Sequence, residues 1–196
     1  MQVAHSVVAV LGGRYSAGLG IDVDAGEAEV ERWFLAATLF GARIPARVAE
    51  RTFGVLAAAG LARIWQLRHV PSADLIAMLD AGGYARYDLR TATRLLHLCE
   101  IIDDRYDGQA GLIGRRFAAY PELRAALDAL PGWGLVTVRL FLRELRGVWP
   151  GAGPPLDARA ATGRHTCRCR PEHSQVTCCR SKAKACLASA GTAGTA

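Results

Sequence analysis

Apolar residues recur in this chain at intervals of three and four almost throughout, and Gly or Pro interrupts them repeatedly. That pattern restricts the chain to short helices. The spacing places side chains on one face of a 3.6-residue turn, and each breaker ends the run. Glu27, Glu29 and Glu31 open the first clear run, as the helix macrodipole favours. Val30, Trp33, Phe34, Ala37, Thr38 and Phe40 then form one broad apolar face, which Gly41 and Pro45 terminate. The same reading predicts helices over Ala46–Leu56 and over Ala57–Leu67, the latter continuing past Gly60. Ser72 is expected as the N-cap of a helix to Leu79, stopped by Gly82-Gly83. Asp88–Ile102 is the most regular segment, with Leu89, Ala92, Leu95, Leu96 and Cys99 in register. Asp107–Gly114 is expected as loop. Pro121 suits the first turn of a helix reaching Ala129, and Leu135–Leu145 forms the next.

No pair of alternating segments is long enough for a sheet. Val3–Leu11 fits a strand by its valines, but Val7, Val8 and Leu11 also fit a helix. The expected fold is all-α: an orthogonal array of eight or nine helices, too short to share a common bundle axis. No stretch reaches the roughly 18 uninterrupted apolar residues of a membrane span. No membrane partner is expected, and Met1–Leu11 lacks the basic start of a signal peptide.

Composition separates a body from a tail. Half of the chain is hydrophobic (51%), enough for a core. The net charge of +6 resides mostly after Gly163, where six basic residues face Glu172 alone. Before that point 18 arginines nearly balance 17 acids, so charge alone gives the body no polyanion-binding character. Lysine occurs only as Lys182 and Lys184. Cys167, Cys169, Cys178, Cys179 and Cys186 lie in the tail, leaving Cys99 in the body. One body cysteine fits a cytoplasmic protein. The tail reads either as a disordered basic extension or as translation out of the original frame. The expected domains are an N-terminal helical segment at 1–24, a main domain at 25–163 and the tail at 164–196.

One segment carries chemistry: Leu127-Asp128-Ala129-Leu130-Pro131-Gly132-Trp133-Gly134-Leu135-Val136-Thr137-Val138. Pro131 ends one helix, and Gly132 and Gly134 allow a tight turn and a close backbone approach. The second helix then starts with outward amides, which bind a phosphate without any lysine. Trp133 either plugs the turn into the core or faces a ligand.

This hairpin resembles that of the helix-hairpin-helix DNA glycosylase superfamily, which includes endonuclease III. The family turn, Leu-Pro-Gly-hydrophobic-Gly, matches Leu130–Gly134 at every position. The resemblance extends over about residues 25–163. Glu31–Arg43 corresponds to the family's second helix and lesion-strand loop, and Gly83-Tyr84 with Ala92–Ile102 to its glycine-aromatic turn and following helix. It implies two helical lobes, the second incomplete here because Val176 and Leu187 are the tail's only large aliphatic residues. An uncovered N-terminal apolar patch on an otherwise monomeric chain would then favour self-association. The family's catalytic aspartate follows the second hairpin helix and a loop. Asp157 is the only acid between Glu144 and Glu172, and it also suits an N-cap of the next helix.

The departures are specific. Bifunctional members carry a lysine two residues after the last hairpin glycine, where this chain has Val136. Without a body lysine, no side-chain amine forms the Schiff base of lyase chemistry. The family's inserted glutamine corresponds to Arg43. Many members bind an iron–sulfur cluster through Cys-x6-Cys-x2-Cys-x5-Cys. Cys179 and Cys186 match only the first interval, so neither a cluster nor another metal is expected, although His165 and His173 lie nearby.

The resemblance therefore implies a double-stranded DNA partner and base-excision chemistry of the monofunctional kind. Leu130, Gly132, Trp133, Gly134, Val136, Thr137, Arg139 and Arg143 would form the DNA-binding hairpin. Arg43 would fill the gap left by a flipped base, and Asp157 would stabilise charge on the sugar or orient water. A non-catalytic DNA-binding member, and a helical interaction protein with no nucleic-acid role, are the alternatives.

Overall fold

Trp33, Phe34, Leu35, Ala36 and Ala37 are five consecutive residues without solvent exposure, so one helix runs through the middle of the fold. A helix apolar on every side belongs inside a core. The expected single apolar face was too narrow a description of it. The computed structural model describes residues 13–41, 44–84 and 87–154. Among these, α1 is Tyr15–Gly18, α2 Glu27–Phe40, α3 Ala46–Ala58 and α4 Ser72–Gly82. They are followed by α5 Asp88–Tyr106, α6 Gly111–Arg116, α7 Tyr120–Asp128 and α8 Leu135–Glu144. Short 3-10 turns lie at Val23–Ala25, Ile64–His69 and Pro150–Ala152. No β-strand occurs among the described residues; the fold is all-α.

The central helix α2 packs against α3, α6 and α8. Helices α3, α4 and α5 pack in sequence, and α5 also covers the Ile64–His69 turn. On the other side α7 pairs with α8 across the hairpin. Phe34 stacks on Trp133 with ring centroids 4.7 Å apart. Phe141 meets Trp133 edge-on at 5.1 Å and Trp149 at 5.4 Å. Each such pair adds about 0.5–1.5 kcal/mol beyond area burial.

Several boundaries differ from expectation. The helix over Ala57–Leu67 does not form: α3 ends at Ala58, Gly60 takes a left-handed φ of 79°, and the Leu61 amide donates to Leu56. Pro71, not Ser72, occupies the cap of α4, and Ser72 makes no capping bond. α5 runs one turn past Ile102, to Tyr106. The expected loop at Asp107–Gly114 contains the start of α6. Residues 14–154 make one unit. The expected N-terminal segment contributes to it, since Ile21 and Val23 are buried core residues. The first half of that segment, and all of the tail, lie outside the described residues.

Candidate nucleic-acid interface

The hairpin between α7 and α8 forms as the sequence predicts. Pro131 follows the end of α7, and the Trp133 amide donates to the Leu130 carbonyl at 3.0 Å to close the turn. Gly132 has a φ of 79°, a left-handed conformation that disfavours any side chain. A Cβ there would also strike the Arg94 side chain of α5.

Gly134 is different. Its backbone is extended, with φ −140°. Any residue adopts that conformation. Apart from its chain neighbours, no heavy atom lies within 4 Å of where its Cβ would sit. Neither conformation nor internal packing calls for glycine at this position. Beyond it, the first backbone bond of α8 runs from Val138 to Gly134 at 3.0 Å. The amides of Leu135, Val136 and Thr137 thus precede the helical ladder, no side chain caps them, and the first turn holds no acid.

The expected contact residues divide into two groups. Val136 is 75% exposed, and Gly132, Gly134 and Arg139 are also exposed. Leu130, Trp133 and Thr137 are buried. Their side chains face the core and anchor the turn. Trp133 is the plug, with its indole N–H donating to the Thr38 hydroxyl at 3.1 Å. Thr137 lies against Gly41 at the end of α2.

Arg143 is also committed internally. Its guanidinium donates to Glu144 Oε1 at 2.8 Å and lies over the Tyr15 ring, 5.1 Å from the centroid. The other Glu144 oxygen accepts from the Ser16 hydroxyl at 3.0 Å. Arg143 therefore ties α8 to α1, and it is not a free partner for Arg139. No carboxylate among the described residues pairs with Arg139. Arg43 and Asp157 lie outside the described residues, as do the tail cysteines, His165 and His173.

In the sequence Glu31 reads only as a helix-opening acid, and Glu144 and Arg94 carry no role. Glu31 is buried in α2, where Oε1 accepts from the Gly111 amide at 2.6 Å and Oε2 has no partner. Burial pushes its pKa up to about 7, against the opposing pull of the Gly111 amide, Arg63 and the Ala110 amide. Burial likewise raises the pKa of the free Cys99 thiol. No group of three or more potential metal ligands occurs among the described residues. None of their helices is long and apolar enough to cross a membrane. Comparison with family models, with curated proteins and with solved structures finds no match to this chain.

Proposed function

We propose that this chain binds double-stranded DNA through the Leu130–Arg139 hairpin, as a divergent member of the helix-hairpin-helix glycosylase superfamily. One observation carries the reading. Gly134 keeps open a space outside the protein, directly before three unladdered amides and a first turn without acids. A phosphate backbone needs that space and those donors. Exposed Arg139, on the same helix, adds positive charge where the near-neutral body gives little.

Within this reading the chemistry is hydrolytic base excision in the cytoplasm. Asp157 acts on the sugar and Arg43 fills the duplex gap. Strand cleavage is not part of it, because Val136 occupies the lysine position and no lysine precedes Lys182. The second reading is duplex binding without catalysis. It is favoured by the exposed, inert Val136 side chain at the hairpin surface.

The experiment is duplex titration of the full chain against its Gly134→Val variant. Valine suits extended backbone, so the fold should persist while affinity falls. A folded variant with unchanged affinity would remove the hairpin from the interface. Release of free base from damaged duplex then separates the catalytic reading from the second one.

A further inference from the structure

Gly132 and Arg94 share one volume. At the place where a Cβ of Gly132 would sit, Arg94 Nε lies 2.8 Å away and Cγ 3.1 Å away. The stem of Arg94 therefore lies flat on the hairpin turn, although it comes from α5. Arg94 is partly buried there. The ion pairs among the described residues engage Arg14, Arg32, Arg68, Arg115 and Arg143, and none engages Arg94.

A packed stem holds the guanidinium at the edge of the turn, and no carboxylate among the described residues occupies its donors. Arg90 is exposed one turn earlier, at the i−4 position, and so shares the Arg94 face of α5. It also lacks a carboxylate partner among the described residues. With exposed Arg139 on α8, three arginines without a carboxylate partner among the described residues lie on these two helices, Arg94 in contact with the turn itself. Arginine's planar fork matches phosphate oxygens two at a time.

The geometry points to Arg90 and Arg94 as phosphate contacts that carry the duplex surface from the hairpin onto α5. This inference rests on the duplex-binding reading above. Gly132 then has two roles: its left-handed backbone makes the turn, and its missing side chain seats Arg94 beside the anion.

The test titrates a short labelled duplex of mixed sequence with the full chain over a range of salt concentrations. Wild type is compared with Arg90→Gln, Arg94→Gln, Arg94→Lys and Gly134→Val, each checked for folding by circular dichroism. Each glutamine variant should lower the salt slope of log affinity by about one, the loss of a single phosphate contact. Arg94→Lys should restore the slope. Unchanged slopes in both glutamine variants, with Gly134→Val weakened, would overturn this inference and leave the hairpin reading standing. Absence of duplex binding by wild type would overturn both, as would binding to an acidic peptide alone. If Arg94→Gln does not fold, Arg90→Gln decides by the same slope.

Discussion

The Trp133 indole N–H donates to the Thr38 hydroxyl at 3.1 Å, and Thr38 in turn donates to the Phe34 carbonyl at 2.8 Å. The tip of the hairpin is thereby fastened to the last turn of the central helix. The same indole stacks on Phe34, so a single side chain supplies both the apolar and the polar attachment. The exposed face of the hairpin is consequently held by groups that never reach the surface.

Trp133→Ala should therefore act on stability first. Removing a buried Trp typically costs about 3–5 kcal/mol. Trp133→Phe keeps most of the apolar volume and loses one hydrogen bond, worth about 1 kcal/mol. Denaturant unfolding should rank the two in that order. A Trp133→Ala variant of native stability would place the ring outside the core.

Glu31 predicts an unusual pH dependence. Its carboxyl has a pKa of about 7 in the fold, against an ordinary value of 4.5. The folded state thus holds a proton that the unfolded chain releases earlier. The cost of a buried charge is fully present above pH 7 and fades as pH falls towards 4.5, so this group adds stability on acidification. Glu31→Gln should melt higher than wild type at pH 8, by up to roughly 3 kcal/mol of stability. The gap should close near pH 4.5. A constant difference across that range would mean that Glu31 does not titrate there.

Arg139 and Arg143 are spaced i,i+4 on one helix, yet they should behave differently. Arg139→Ala should change stability by less than about 0.5 kcal/mol, as surface substitutions do. It should also lower the salt slope of duplex binding by about one. Arg143→Ala should destabilise instead, because it leaves Glu144 buried with only the Ser16 groups as partners. Melting curves and duplex titrations on both variants check this. A reversed pattern would return Arg143 to the interface.

These cases show what the sequence made legible. The all-α class and α2, α3, α5, α7 and α8 followed from apolar spacing and breakers, because those are local signals. The hairpin followed from Leu130–Gly134. The division between contact and anchor did not, since whether Trp133 faces inward depends on Phe34 and Thr38 in a distant helix. Glu31 was partly legible: it precedes Phe34 by three residues, Leu35 by four and Thr38 by seven, so the apolar stripe runs through it. Its reading as a first-turn acid hid that position. Arg94 left no signal, because its contact with Gly132 joins residues whose proximity only the fold creates.

The chemistry itself gives the last prediction. A glycosylase that also cuts the strand needs an amine to capture the sugar as a Schiff base. This chain offers Val136 at the hairpin position and no lysine before Lys182. Any base release should leave an intact abasic strand until alkali or heat is applied, and borohydride should trap no protein on DNA. Asp157→Asn should then reduce base release by roughly 10²–10³, the scale for losing one electrostatic stabiliser, while duplex affinity stays near wild type. The two measurements are independent. Trapping that persists in a chain truncated after Gly163 would contradict the lysine argument. Full base release by Asp157→Asn would leave that carboxylate a capping role alone.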